Sequence, residues 1–230
     1  MPFFFYDYYY IILVIPAMIL AIVAQTKVKS TYNKYAKVGN TRAITGAYAA
    51  QAVLTHYGIR DVRIEQVSGK LSDHYDPKAK VIRLSSEVYS GSSIAAVGIA
   101  CHEAGHAAQH AENYAPIKIR NSLVPVCNIG SYLGVPLALL GYFLGFEPLI
   151  SIGLLLYAAI SVFHLVTLPV EFNASNRAIK VIDETGLLYD DEIGGAKKVL
   201  KAAAMTYVAS LVVALANLLR LVLRFNNRRN

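Results

Sequence analysis

Apolar residues gather in long runs, broken by one insert of mixed polarity. The first run, 8–24 (YYYIILVIPAMILAIVA), approaches the roughly 20 residues needed to cross the hydrocarbon layer. Tyr6, Tyr8, Tyr9 and Tyr10 crowd its start, where amphipathic rings favour the membrane interface. A cleaved signal would open with positive charge and close on a small-residue cleavage site. This run opens with no Lys or Arg and is followed by Lys27 and Lys29. It reads as a retained anchor, N-terminus outside and the following chain inside. Two further runs, 123–146 and 148–170, are each long enough to span. The link between them, 145–148, is short and carries a single charge, Glu147, which predicts a tight helical hairpin. The chain just before 123 and just after 170 therefore faces one compartment. A last run, 202–219, has lysines before it and arginines after it, so flanking charge leaves open whether it spans or packs as a core helix.

The insert carries weaker periodic signals. Segment 41–57 has helical spacing and stops at Gly58. Segment 62–67 (VRIEQV) alternates as a half-buried strand does, and 81–84 (VIRL) reads as a second strand. The polar stretch between them, with Asp73, His74, Asp76 and Pro77, predicts a hairpin connection. Gly91-Ser92-Ser93 offers a cap for a long helix over 94–111. A polar helix from 171 to about 182 precedes a break at Gly194-Gly195. The expected fold class is a mainly α membrane protein with a small α+β catalytic domain, a short sheet or hairpin, and three to four transmembrane helices. The expected segments are an anchor (1–26), a catalytic domain (27–122), a transmembrane hairpin (123–170), a polar helix (171–195) and a C-terminal apolar helix with a basic tail (196–230).

Composition supports this division. Hydrophobic residues are 55% of the 230 and charged residues 16%, against about 25% charged in an average globular chain. The net charge is +7, but the basic residues flank apolar runs. Lys27, Lys29, Lys34, Lys37 and Arg42 follow the first, and Arg220, Arg224, Arg228 and Arg229 the last. That placement reports topology and contact with anionic lipid. No nucleic-acid motif accompanies it, which argues against a nucleic-acid partner. Two cysteines, Cys101 and Cys127, make no disulfide framework.

The 94–111 helix contains His102-Glu103-Ala104-Gly105-His106. Four residues apart, the two imidazoles lie about 40° apart on one face, one turn above the other, and can meet one Zn²⁺. Glu103 lies about 100° round from His102, beside the metal, where a carboxylate can take a proton from an attacking water and pass it to the leaving amine. Ala104 and Gly105 are small enough for another element to approach closely. A catalytic zinc takes three protein ligands and keeps one open position. His110, another turn along, does not match the HExxHxxGxxH spacing and reads better as a supporting or surface histidine. Glu171 is the stronger third ligand. It follows the returning hairpin, on the side expected for His106, and a carboxylate leaving an apolar helix is costly unless solvated or bound. His164, inside an apolar run, reads as a core histidine.

CHEAGHAAQH, LPVEFNASNRA, LSDHYDPKAKVIRLS and KAAAMTYVA, in this order, resemble the YugP-like membrane zinc metallopeptidases of bacteria, the neutral zinc metallopeptidase family. The resemblance covers nearly the whole chain. It implies a zincin fold of the gluzincin kind, one zinc per chain held by His102, His106 and Glu171, Glu103 as general base, and a bacterial plasma-membrane setting; the flanking charges and the hairpin put the site of this multi-pass chain on the cytoplasmic side. In related gluzincins an acid soon after the ligand glutamate orients a zinc histidine. Here Asn173 and Ser175 stand in that neighbourhood. The resemblance also implies that the 81–84 strand lies near the motif helix and holds an extended substrate by its edge, the alternative being that it is simply part of a small sheet. Arg177, His74, Tyr75 and Tyr114 are candidates to stabilise an oxyanion. The expected activity is hydrolysis of peptide bonds in peptides or membrane proteins. The competing readings are a non-catalytic membrane protein with a structural or vestigial zinc site, and a transporter. Intact Glu103 argues against the first, and the lack of charges within the apolar runs against the second.

Overall fold

The computed structural model describes residues 7–226; Tyr6, Arg228 and Arg229 lie outside the described residues. Seven α-helices and three strands follow one another: α1 (Ile15–Tyr35), entered through a wider π-turn (Tyr10–Val14), α2 (Gly46–His56), β1 (Arg63–Val67), β2 (His74–Asp76), β3 (Val81–Ser85), α3 (Ser86–Tyr89), α4 (Ile94–Ala111), α5 (Ala115–Leu144), α6 (Glu147–Glu184) and α7 (Asp190–Asn226). Four helical stretches are long and apolar enough to cross a membrane: Tyr10–Tyr35, Ala115–Leu144, Glu147–Glu184 and Asp190–Phe225.

The chain divides into two compact units. One comprises the described residues up to Gln25, Lys118–Leu168, and those from Thr206 onward. Its apolar side chains, among them Ile22, Leu133, Phe143, Leu155 and Leu165, face outward, as lipid-facing residues do. Small residues seam α5 to α6: a Cβ on Gly130 would stand 2.4 Å from the Leu156 carbonyl oxygen, and one on Gly153 2.5 Å from that of Gly134. Gly130, Gly134 and Ala138 recur every fourth residue, the spacing that lets membrane helices touch by their backbones. Arg220 Nε donates to Asp7 Oδ2 at 2.8 Å, tying the start of the first helical run to α7.

The other unit comprises Thr26–Ile117 and Pro169–Met205. Its core joins Val53 and Leu54 of α2, Ile82 and Leu84 of β3, Val97, Cys101, Ala104 and Ala108 of α4, and Val181 and Ile182 of α6. α4 starts where Ser93, in an extended conformation, accepts a hydrogen bond from the Ala96 N–H at 3.1 Å. It ends at Asn113, whose φ of 57° turns the chain away. α2 is capped likewise by Thr45 and ends before Gly58 (φ 66°).

The sheet corrects the predicted hairpin. Its order is β1-β3-β2, with β1 parallel to β3 (Arg63 opposite Val81) and β2 antiparallel (Tyr75 opposite Ile82). The segment predicted as a connection supplies a strand of its own. β3 is thus the middle strand, and Val81, Ile82, Leu84 and Ser85 are all buried. The expectation that its edge is open to a substrate is corrected: the sheet edges are β1 and β2. Helix boundaries also differ: the helix expected from 41 begins at Gly46, after the Thr45 cap. The polar helix expected from 171 is the second half of α6, which continues through Pro169. The expected break at Gly194-Gly195 lies inside α7, where Gly195 admits the Tyr35 ring; a Cβ there would be 2.8 Å from Tyr35 Cε1.

Candidate metal centre

α6 presents a buried stripe to the core of its unit: Val170, Glu171, Ala174, Ala178, Val181 and Ile182. Helical spacing puts these on one face, so Glu171, only 2% exposed, points inward amid apolar neighbours. α4 meets that stripe at Gly105, where a Cβ would lie 2.7 Å from the Ala174 carbonyl oxygen. The two backbones touch there because Gly105 has no side chain. His102 and His106, flanking Gly105, are thereby brought to Glu171 and Ser175, flanking Ala174.

Three donor atoms converge. Glu171 Oε2 lies 3.3 Å from His102 Nε2 and 3.6 Å from His106 Nε2, and the ligand atoms of all three residues lie within 4.8 Å of one another. A tetrahedral ion with bonds of about 2.0–2.1 Å holds its ligand atoms roughly 3.3–3.4 Å apart. The spacing fits such an ion, and the donor set of two imidazoles and one carboxylate suits zinc.

The opposite ring nitrogens are held from behind. His102 Nδ1 is 3.1 Å from Ser175 Oγ, and His106 Nδ1 is 3.0 Å from Gln109 Oε1. Gln109 is fully buried, and its amide has one consistent orientation. Nε2 donates to the Val170 carbonyl at 2.7 Å and to Asn173 Oδ1 at 3.0 Å, so Oε1 must accept from His106 Nδ1–H. In the neutral ring Nε2 then carries a lone pair facing a carboxylate oxygen. Two acceptors in that position repel unless a cation, a metal or a proton, lies between them. Burial opposes charge on His106, but the Glu171 and Glu103 carboxylates outweigh it, and the imidazole's pKa lies above its ordinary value.

The network extends outward through residues named from the sequence. Asn173 Oδ1 also accepts from Arg177 Nε at 2.7 Å, and Arg177 pairs with Glu112 at 2.6 Å while its guanidinium lies over the Tyr57 ring at 5.5 Å. Arg177 is thus engaged behind the histidines. Glu103 is half-buried on α4 beside His102. His110 stands outside the three-residue cluster, its ring edge-on to Tyr75 at 6.0 Å. His74 also stands outside it; on β2 it contacts the Ser72 carbonyl and Arg83. Tyr114 closes the turn after α4, its N–H donating to the Gln109 carbonyl. Cys101 is buried with its Sγ 3.7 Å from the Ala49 carbonyl, and burial pushes its thiol pKa up. Gln109 was not singled out from the sequence. Its signal was there: a polar residue three after His106, on the same helical face, in a run of buried alanines.

The chain belongs to a zinc metallopeptidase family: residues 10–226 match the family described as "Putative neutral zinc metallopeptidase", as the four quoted segments led us to expect. It is similar to "Putative membrane protease YugP" of Bacillus subtilis (strain 168), with 47% identity over 221 residues, 96% of this chain and 98% of the relative. No solved structure matches it.

Proposed function

We propose that this protein is a membrane-bound zinc endopeptidase in which His102, His106 and Glu171 hold one Zn²⁺ and Glu103 is the general base. The observation that carries this reading is the convergence of three donor atoms on one point, with His106 fixed in the tautomer that turns its lone pair inward. Zinc, when bound, supplies a Lewis acid that polarises a peptide carbonyl and acidifies water. Glu103 takes a proton from the attacking water and returns it to the leaving amine. Ser175 and Gln109 orient the imidazoles, and Asn173 with Arg177 orients Gln109. Arg177, held by Glu112 and Asn173, serves as a positioning residue in this scheme.

β2 is the sheet edge to set against an extended substrate, in place of β3. The substrate class is a peptide or a membrane protein. The basic residues after the first apolar run, and the tight Gly145 turn that returns α6 to the side where α5 began, support a multi-pass plasma-membrane protein with this site on the cytoplasmic side.

The test is zinc content and peptide cleavage by the purified full chain, wild type against Glu103→Gln. The variant should keep its zinc and lose about 100- to 10,000-fold in cleavage rate. Cleavage at the wild-type rate by Glu103→Gln would remove Glu103 from the mechanism.

A further inference from the structure

A second site lies in the unit that holds the histidines, at the crossing of α1 and α7. The two helices present the same spacing to a common cavity of about 540 Å³. From α1 come Lys27, Ser30, Thr31 and Lys34, at steps of zero, three, four and seven. From α7 come Lys198, Lys201, Ala202 and Met205, at the same steps. Each set is therefore one helical face. Lys27, Lys34, Lys198 and Lys201 line this cavity with exposed side chains, and none of the four has a carboxylate partner among the described residues. Lys34 instead lies 5.5 Å from the centre of the Tyr35 ring.

Topology alone does not require this arrangement. Flanking charge fixes orientation wherever it stands near a span, and Lys29, Lys37 and Lys197, all exposed and outside the cavity, already provide it. Like charges brought together without a counter-ion repel, so four lysines lining one cavity favour an anion there. The position says which anion. Lys27 follows the apolar run ending at Ala24 by about 5 Å of helix, and Lys201 and Lys198 precede the run starting at Ala202 by about 1.5 and 6 Å. Those offsets match the headgroup layer, roughly 5–8 Å thick on each side; Lys34, about 15 Å of helix past Ala24, lies beyond it. Ala202 and Met205 line the same cavity from the apolar end of the α7 face, where an acyl chain would continue.

We propose that this cavity binds the phosphate of an anionic phospholipid, with Lys27, Lys198 and Lys201 on the phosphate, Lys34 at the end of the cavity away from the bilayer, and Met205 toward the acyl chain. The proposal is independent of the catalytic reading and touches none of its residues.

The test is lipid retention by the full chain in neutral detergent, read by native mass spectrometry with phosphatidylglycerol or phosphatidylcholine added. The wild type should retain phosphatidylglycerol at least about tenfold better than phosphatidylcholine. Replacing Lys27, Lys34, Lys198 and Lys201 with Gln together should abolish that preference. A charge-matched control, Lys29, Lys37, Lys118 and Lys197 to Gln, should keep it. A thermal unfolding curve accompanies each variant, and the smaller change K198E with K201E should also lose the lipid if the fourfold variant fails to fold. Retention unaffected by millimolar inorganic phosphate assigns a lipid; displacement by that phosphate keeps the anion site and overturns the lipid assignment. Equal retention by the cavity variants and the wild type, or no preference for the anionic lipid, overturns the site.

Discussion

Gln109 accepts a hydrogen bond from His106 at 3.0 Å and thereby decides which ring nitrogen faces Glu171. The choice is enforced from the far side of the amide, where Val170 and Asn173 take both of its donors. Replacing Gln109 with Leu should lower zinc affinity about 10- to 100-fold while leaving the three ligands in place. Chelator competition on the purified protein measures this, and wild-type affinity would show that the amide does not support His106.

Gly105 offers a steric test. The Cβ of Gly105→Ala would enter the Ala174 carbonyl, a backbone atom with no rotamer to yield. The helices must part, and stability should fall by about 1–3 kcal/mol. Zinc affinity should fall with it, because the same contact sets the distance between the histidines and Glu171. Thermal unfolding with and without zinc separates the two effects. A variant as stable as the wild type would mean that α4 and α6 are free to shift.

Acid should weaken zinc binding. A proton and a metal compete for the same His106 lone pair, and the raised pKa in the metal-free protein lets the proton compete from a higher pH than at a free imidazole. The sign follows: affinity drops as pH falls from about 8 to about 5. Chelator competition across that range checks it, and a flat profile contradicts it.

Glu192 ties the start of α7 to the loop before α2. Its Oε1 accepts from the Thr41 N–H at 2.7 Å and the Thr41 hydroxyl at 2.8 Å, and its Oε2 from the Tyr189 N–H at 3.0 Å. Glu192 is buried while Thr41 and Tyr189 are exposed, so Glu192→Ala loses three hydrogen bonds that water replaces only in part. The expected cost is about 2–3 kcal/mol, measured by denaturant unfolding.

Much of the site was legible because it is local. His102, Glu103 and His106 share a single helix, and four-residue spacing is enough to set two imidazoles on one face. The place of Glu171 followed from a longer inference, the tight return of two apolar runs around Gly145, and the structure brings Glu171 to the histidines. Whatever depends on pairing between distant segments was illegible. Nothing in VRIEQV or VIRL says that the two run parallel, since alternation is the same in either direction. The Gly194-Gly195 pair read as a stop, because sequence rules weigh the glycine entropy but not the packing that offsets it. Gly195 is required by the Tyr35 ring 160 positions earlier. Gln109 was overlooked because its importance lies in partners on α6.

The unit that holds the histidines and Glu171 is written in two instalments, Thr26–Ile117 and Pro169–Met205, with a greasy stretch of the chain between them. Cutting the chain between them separates the donors: a fragment ending before Lys118 would carry both imidazoles and leave the Glu171 carboxylate behind. A chain stripped of the intervening apolar runs keeps all three donors only where the second instalment is joined to the first.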